Sequence, residues 1–386
     1  MMLENVGFAL LLAGGACLLT CLLQIILQPV AHRFELIDYP KGRKDHERPT
    51  PVIGGLAMAL GAVAVMSLSP LEMSAPFYGF VLGGGLLLVI GLLDDKYDLH
   101  WTIRIVAQVL AALLMVYIGG VQVERLGPMF GLGETQLGAL AVPFTVFATV
   151  GLINSVNMID GADGLAGSLV FAALIMLTAA AFYSGNQTLA LRLAVLSGAV
   201  SGFLAYNLRF PWRQRAKLFM GNAGSMFLGF VVAWSAFRLT QDTHHNVSPV
   251  LALWLIPIPV MDTLVLMVRR LRSRKSPFIA DRNHIHHFML EAGIGPTRGA
   301  MMLSLFSLAS GLLAAQSLRW DVPEPLLLLA FIALCLLWFW MTGHRERTVA
   351  FFRQAKRVMP DWRGRDLRAD GVPAEVKVPD ARDEAR

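Results

Sequence analysis

Eleven apolar blocks follow one another along this chain, each of about 17 to 22 residues and therefore long enough to cross a hydrocarbon core as a helix. We therefore predict an all-α, polytopic integral membrane protein with about eleven transmembrane helices. The predicted spans are residues 6–27, 53–69, 77–93, 103–121, 138–154, 164–184, 188–206, 224–240, 249–267, 298–316 and 325–342.

The composition agrees with this class, because 55% of the residues are hydrophobic and only 16% are charged. We assign the net charge of +6 to loops that face anionic lipid headgroups. No nucleic-acid partner is expected, since the chain lacks a basic soluble domain. Residues 1–5 contain no Lys or Arg, so the first block is predicted to remain as a span and not to be a cleaved signal peptide.

The distribution of basic residues predicts the orientation, because cytoplasmic loops retain Lys and Arg. With the N-terminus outside and the C-terminus cytoplasmic, all but four of the 33 Lys and Arg residues lie on the cytoplasmic side. The exceptions are Arg125, Arg192, Arg238 and Arg319. The reverse orientation would invert this strong bias.

The chain divides into a transmembrane domain at residues 1–342 and a basic cytoplasmic tail at residues 343–386. The first part of the tail, residues 345–359, mixes apolar residues such as Phe351 and Phe352 with basic residues, which predicts a helix lying in the headgroup layer. From Asp361 onward, charge, Pro and Gly predict disorder. Neither part of the tail carries a catalytic pattern.

Five polar clusters fall on the predicted cytoplasmic side. The first is the loop at residues 38–51, in which Lys44 and His46 are suited to bind phosphate and the prolines stiffen the chain. An ordinary positive-inside loop would have the same composition.

The second cluster is Asp94, Asp95 and Asp98, directly after an apolar block. Neighbouring carboxylates without an Arg partner repel one another, and a divalent cation or a shared proton relieves that repulsion. If the segment is helical, Asp94 and Asp98 share one face. A solvated helix end is the alternative, which the adjacent membrane span disfavours.

The third cluster is Asn154, Asn157, Asp160 and Asp163, spaced by three residues and accompanied by glycines. This spacing stacks oxygen atoms along one edge of a helix or turn, as a site for magnesium or a sugar requires. The segment contains no Lys or Arg, so the two carboxylates have no obvious internal partner.

The fourth cluster extends from Asn207 through Phe219 to Asn222 and Ser225, where a helix is predicted to begin. Glycine-rich backbone amides at a helix N-terminus suit a phosphate group. A capping turn with Asn222 or Ser225 as the N-cap is the alternative, and it is compatible with a functional role.

The fifth cluster is His284, His286 and His287, in the most basic predicted cytoplasmic loop. Imidazoles bind metals when neutral and donate hydrogen bonds to a diphosphate. A zinc site is disfavoured, because no Cys or His-x-x-Glu partner accompanies the three histidines.

Together, these clusters resemble those of the polyprenyl-phosphate N-acetylhexosamine-1-phosphate transferases, glycosyltransferase family 4, to which the phospho-N-acetylmuramoyl-pentapeptide transferase is related. The resemblance covers residues 38–290 and preserves the order of the motifs. The Asp-Asp-x-x-Asp and His-Ile-His-His forms resemble the branch that transfers N-acetylglucosamine 1-phosphate. The implied reaction is attack by undecaprenyl phosphate on the β-phosphorus of UDP-N-acetylglucosamine, with release of UMP.

The resemblance also implies roles for individual residues. The implied catalytic residues are Asp94, Asp95 and Asp98. The implied substrate-binding residues, with Phe219 stacking on uracil, are Lys44, His46, Asp160, Asp163, Asn207, Phe219, His284, His286 and His287. The implied ligands of Mg²⁺, with Mn²⁺ as the alternative ion, are Asn157, Asn222, Asp94 and Asp95.

One residue departs from the family pattern. The family usually has Gly-Asp-x-Gly-Ser where this chain has Asn222 in Gly-Asn-Ala-Gly-Ser, and the aspartate of that motif resembles a principal magnesium ligand. An amide oxygen can coordinate magnesium but brings no charge. We expect weaker metal binding with retained activity; an altered substrate or an inactive protein are the competing explanations.

Other functions remain open at this stage. An ion-coupled transporter also uses acids within a membrane, but its site is expected near the bilayer midplane. A catalytically silent protein of the same fold is harder to exclude because of Asn222. The donor could also be UDP-N-acetylfucosamine, UDP-N-acetylquinovosamine or UDP-N-acetylgalactosamine. The resemblance implies a protein of the bacterial inner membrane whose active site faces the cytoplasm. It also implies a role in the synthesis of O-antigen or another surface polysaccharide. A homodimer is compatible with the sequence.

Overall fold

A computed structural model of the protein describes residues 2–39, 49–131, 133–210, 212–242, 247–274 and 283–358. These residues form fourteen α-helices, a short 3-10 helix at Gly138–Leu140 and two short strands. The helices are α1 (Met2–Arg33), α2 (Gly54–Leu68), α3 (Ala75–Tyr97), α4 (Trp101–Tyr117), α5 (Ala141–Ile159), α6 (Leu165–Tyr183), α7 (Gln187–Asn207), α8 (Gly221–Thr240), α9 (Pro249–Leu255), α10 (Pro257–Arg272), α11 (Ile285–Glu291), α12 (Pro296–Arg319), α13 (Glu324–Met341) and α14 (Arg345–Val358).

The all-α, polytopic architecture agrees with the sequence-based prediction. Within the described residues, eight helices are long and apolar enough to cross a membrane, and the bent pair α9 and α10 could form a ninth span. Every one of the eleven predicted blocks is helical, but α2 and α4 are shorter apolar helices. The number of helices that cross the membrane, and the side on which each terminus lies, remain predictions.

The predicted span at residues 249–267 is not one continuous helix. It divides into α9 and α10, whose axes differ by 90°. Pro257 begins α10. A proline has no N–H to donate to the preceding turn and its ring clashes with that turn, so it favours the first position of a new helix over the middle of an old one.

Helix α8 lies at the centre of the bundle, buried over nearly its whole length. Helices α3 and α5 pack on α8, and α1 and α6 pack on α7. The ring centroid of Phe80 on α3 lies 4.9 Å from that of Trp234 and 6.2 Å from that of Phe230 on α8. This aromatic contact fixes the amino-terminal half of α3 beside α8.

Two short strands lie at the two ends of the first polar cluster. Strands β1 (Ile37–Asp38) and β2 (Thr50–Pro51) pair antiparallel, with Ile37 opposite Pro51. The predicted phosphate-binding residues Lys44 and His46 lie between them, outside the described residues.

Candidate active site

The carboxyl end of α3 meets the amino end of α8 through Asp95. Its Oδ1 accepts a hydrogen bond of 2.7 Å from the backbone N of Asn222, and its Oδ2 accepts one of 3.2 Å from the backbone N of Ala223. The carboxylate therefore caps α8 from a neighbouring helix and lies at the positive end of the helix dipole. The alternative that Asn222 or Ser225 provides the N-cap is wrong, since the first residues of α8 receive no side-chain cap of their own.

Gly221 makes this close approach feasible. Its backbone φ is +73°, and a Cβ atom at this position would lie 2.4 Å from Oδ2 of Asp95. Only glycine adopts that conformation without strain and also leaves room for the carboxylate.

The predicted metal ligands Asn157 and Asn222 lie side by side. Nδ2 of Asn157, on the last turns of α5, donates to Oδ1 of Asn222 at 3.1 Å and to Oγ of Ser225 at 2.8 Å. The amide pair therefore joins α5 to α8 next to the carboxylate of Asp95.

Asp94 has an arginine partner that the sequence analysis missed. Its Oδ2 lies 3.2 Å from Nη1 of Arg104, on the first turn of α4, and its Oδ1 accepts a hydrogen bond of 2.9 Å from the backbone N of Leu99. The Asp94 side chain is 1% exposed, whereas that of Arg104 is 33% exposed. The premise that this acid cluster lacks an Arg partner is therefore wrong.

Asp98 lies apart from the other two acids. The helix ends at Tyr97, and Asp98 follows as its C-cap with a φ of +52° and an exposed side chain. Because the helix does not continue, Asp98 does not share the buried face of Asp94. Its catalytic role remains a prediction that the geometry does not support.

The turn after α5 carries the acids Asp160 and Asp163. Oδ2 of Asp163 lies 2.6 Å from Nε of Arg209, which follows α7, so the expectation that these acids have no internal partner is wrong for Asp163. Asp160 receives no hydrogen bond from the described residues. Burial and then the neighbouring carboxylates of Asp95 and Asp163 raise the pKa of Asp160 to about 7.

Asn207 connects two turns of the backbone. Its Oδ1 accepts a hydrogen bond of 2.7 Å from the backbone N of Gly164, and its Nδ2 donates one of 2.9 Å to the backbone O of Leu218. Both ends of this buried amide are thus engaged by the protein, which makes it a support for the acidic turn. Its predicted contact with substrate stays a prediction.

Phe219, predicted to stack on uracil, is half-buried. It packs on a small hydrophobic cluster that includes Val52 and Ile53, and its backbone O accepts a hydrogen bond of 3.0 Å from the N of Gly54. The phenyl ring thus supports the start of α2, and its predicted stacking on uracil stays a prediction.

The three histidines lie over the acidic turn. His286 packs on Gly161, where a Cβ atom would lie 2.4 Å from Nε2 of the imidazole. The ring centroid of His286 lies 5.7 Å from that of His284 and 4.1 Å from that of His287. Burial and then the adjacent imidazoles of His287 and His284 hold the pKa of His286 well below its usual range.

Sequence analysis also missed Asp262, a buried acid on α10. Its Oδ2 lies 2.8 Å from Nδ1 of His284. The sequence does mark this residue, because Asp262 is the sole acidic residue in the apolar block at residues 249–267 and an acid within a membrane span is usually functional. For Arg104 and Arg209 the sequence offered no signal, because their partners lie far from them along the chain or on a separate helix.

The oxygen donors at this end of the bundle suit Mg²⁺ better than zinc. Magnesium is usually held by one or two carboxylates together with substrate phosphates and water. Within the described residues, no group of three or more His, Cys, Asp or Glu side chains could hold a metal ion without such help. Asp95, Asp160 and the Asn157 amide fit this partial donor set, because a carboxylate oxygen that accepts one hydrogen bond keeps a lone pair for a cation. Asp94 fits less well, because its charge is already paired with Arg104.

Comparison with known proteins places this geometry in context. The model of glycosyl transferase family 4 matches residues 77–240, which include the Asp94, Asn157 and Asn222 segments. An undecaprenyl-phosphate alpha-N-acetylglucosaminyl 1-phosphate transferase of Escherichia coli O157:H7 is 34% identical over 352 residues, which cover 90% of this chain and 94% of that protein. Proteins of the same name from Yersinia pestis and Haemophilus influenzae are 33% and 32% identical, over 86% of this chain and over 91% and 94% of their own lengths.

Proposed function

Since this chain belongs to glycosyl transferase family 4, we propose that it transfers N-acetylglucosamine 1-phosphate from UDP-N-acetylglucosamine to undecaprenyl phosphate. An oxygen of the lipid phosphate attacks the β-phosphorus of the donor, the bond between that phosphorus and the bridging oxygen breaks, and UMP leaves. One diphosphate bond replaces another, so the protein contributes mainly positioning and charge neutralisation.

The observation that carries this proposal is the meeting of Asp95, the Asn157 and Asn222 amides and the amino end of α8 at one point. A helix N-terminus favours a negative group, and oxygen-rich side chains beside it favour a divalent cation. A diphosphate with its metal ion combines these two requirements. A midplane site on broken helices, as in a transporter, would not use the ends of α3, α5 and α8 in this way.

Mg²⁺ is the cofactor that fits these donors, with Asp95, Asp160 and Asn157 as its protein ligands and Asn222 as a further amide. Bound there, it would neutralise charge on the diphosphate and stabilise the leaving UMP. The protein's own residues then orient the substrates. Arg104 supplies a partly exposed positive charge beside Asp94, and Arg209 supplies one beside Asp163, where phosphate groups would need counter-charges.

The cellular setting follows from the same proposal. A lipid acceptor requires a site that opens sideways to the bilayer. The distribution of Lys and Arg supports a site on the cytoplasmic face of a bacterial inner membrane. The product would start lipid-linked glycan synthesis, such as that of O-antigen. Another UDP-amino sugar, such as UDP-N-acetylfucosamine, UDP-N-acetylquinovosamine or UDP-N-acetylgalactosamine, is the alternative donor.

A second candidate has one specific observation in its favour. The side-chain oxygen of Asn222 accepts a hydrogen bond from Nδ2 of Asn157, so a neutral amide and not a charged metal ligand stands at this position. A family member with a disabled metal site would have this arrangement.

The decisive experiment incubates the purified protein with undecaprenyl phosphate, Mg²⁺ and a panel of UDP-amino sugars, and it follows UMP and lipid product together. We expect product from one donor, lost on chelation and in Asp94→Asn. Asp321→Asn is the matched control, because it removes an exposed carboxylate in the turn between α12 and α13. If the wild-type protein yields no product with any donor while Asn222→Asp does, the second candidate replaces the first.

A further inference from the structure

A buried carboxylate on α10 is hydrogen-bonded to three donors from two separate parts of the chain. Asp262 is 2% exposed, and its partners are His284 and Ile285 at the start of α11 and Trp338 on α13. A buried charge is costly unless several donors satisfy it. We therefore expect the carboxylate to have a role in orienting one of these donors. Of the three, His284 is the side chain at the candidate site.

The two oxygens of Asp262 have different partners. Oδ1 accepts from Nε1 of Trp338 at 3.3 Å and from the backbone N of Ile285 at 3.4 Å. Oδ2 lies 2.8 Å from Nδ1 of His284. Because Oδ1 is occupied by two N–H groups that can only donate, Oδ2 is the oxygen that meets the imidazole.

We propose that Asp262 is a positioning residue that holds the proton of neutral His284 on Nδ1, so that Nε2 presents a lone pair to the substrate. The proposal deepens the transferase function and rests on it for its catalytic consequence. Nε2 makes no hydrogen bond to the described residues. Its substrate partner must then be a donor, a hydroxyl or N–H group of the nucleotide sugar, and not a fully ionised phosphate oxygen.

The same geometry predicts the effect of Asp262→Asn. An asparagine has one oxygen, which the Trp338 and Ile285 donors would hold at the Oδ1 position. Its NH₂ group would then face Nδ1 of His284 and donate to it. The imidazole would have to carry its proton on Nε2 and would present a donor where the wild-type protein presents an acceptor.

The test combines a spectroscopic and a kinetic readout on the full-length protein. ¹⁵N-histidine NMR distinguishes the two tautomers, and the His284→Gln variant identifies the His284 signals among the nine histidines. In Asp262→Asn we expect the His284 signals to exchange tautomer and kcat to fall between about 10²- and 10⁴-fold, since a misoriented tautomer disables an imidazole without unfolding the site.

Trp338→Phe is the matched control. It removes one donor from Oδ1 and leaves the contact between Oδ2 and His284, so it should keep the wild-type tautomer and lose less than about tenfold in kcat. The proposal is overturned if Asp262→Asn retains the Nδ1–H tautomer, or if Trp338→Phe lowers kcat as much as Asp262→Asn while remaining monodisperse.

The NMR readout needs no substrate, which separates the two claims. If the wild-type protein forms no lipid product from any donor, the proposed function fails, and the tautomer of His284 in the two variants still decides the role of Asp262. If product forms but the tautomer and kcat are insensitive to Asp262→Asn, the function stands and the positioning role fails.

Discussion

The side-chain amide of Asn157 donates a hydrogen bond of 3.1 Å to the side-chain amide of Asn222, joining the end of α5 to the beginning of α8. A carboxylate at position 222 would have two oxygens, one to accept from Asn157 and one to bind a cation. The amide offers one oxygen, and Asn157 already uses it. Asn222 thus forms a neutral contact between α5 and α8.

Asn222→Asp is therefore expected to lower the Mg²⁺ concentration for half-maximal activity by about tenfold, because one charged ligand replaces a neutral one. Titration of the transferase assay with Mg²⁺ measures this shift. The control is Gln214→Glu. It adds the same charge at an exposed position in the connection between α7 and α8, a few residues before Asn222. An equal Mg²⁺ requirement in wild type and Asn222→Asp would remove the metal role of this position.

Gly221→Ala is expected to displace the Asp95 carboxylate from the amino end of α8. The new Cβ would lie 2.4 Å from Oδ2 of Asp95, and the φ of +73° would be strained as well. We expect at least about a tenfold loss of activity and a loss of stability beyond the ~1 kcal/mol that alanine costs at a left-handed backbone position.

Gly120→Ala separates these two causes. Gly120 has a φ of +62° and nothing within 4 Å of an added Cβ, so it suffers the backbone strain without the contact. Thermal unfolding and activity of both variants, measured in the same detergent, give the comparison. Equal losses in the two variants would show that the contact with Asp95 has no role.

The pH dependence of stability should report on Asp160. Its pKa of about 7 in the folded protein lies above the usual range for an aspartate, so the neutral acid favours the fold and this contribution is lost as the pH rises through about 7. Without Mg²⁺, the unfolding temperature should therefore fall between about pH 4, near the usual pKa of an aspartate, and about pH 7, and it should level off above that.

Asp160→Asn should flatten that fall, because the amide cannot ionise, and Mg²⁺ should reduce it in the wild-type protein by neutralising the ionised carboxylate. Unfolding temperatures across this pH range, with and without Mg²⁺, measure both effects. A fall that persists unchanged in Asp160→Asn would assign it to another group.

Phe352→Ala should impair the site through the histidine helix. Helix α14 packs on α11, Nε of Arg345 lies 2.8 Å from Oε2 of Glu291, and Phe352 is 5% exposed within the same core as Phe288. Loss of a buried phenyl ring typically costs ~3 to 5 kcal/mol, so α11 should loosen and activity should fall by about tenfold or more.

Phe351→Ala is the adjacent control, because Phe351 is 51% exposed. If α14 also lies in the headgroup layer, this variant should weaken binding of the isolated tail peptide to anionic vesicles while activity is retained. A loss of activity equal to that of Phe352→Ala would contradict the assignment of the two faces of α14.

The sequence alone predicted most of the helices and the polar residues of the candidate site. Long apolar blocks predicted every major helix, because transfer of apolar side chains out of water depends on local composition. The acids, amides and histidines at the block ends stand out in the sequence, since ionisable residues in or beside membrane spans are rare and usually functional. The sequence also located α14, which covers Arg345–Val358 of the predicted residues 345–359.

Tertiary structure alone decided which partner each polar group has. Asp95 caps α8, Asp94 pairs with Arg104, Asp163 pairs with Arg209, and Asp262 binds His284. These contacts join residues from different parts of the chain. They therefore depend on the distance between neighbouring helices and on the rotation of each helix about its axis. The packing of large side chains, such as Phe80 against Trp234, sets both. The break between α9 and α10 has the same origin: Pro257 permits a bend, and the surrounding bundle fixes it at 90°.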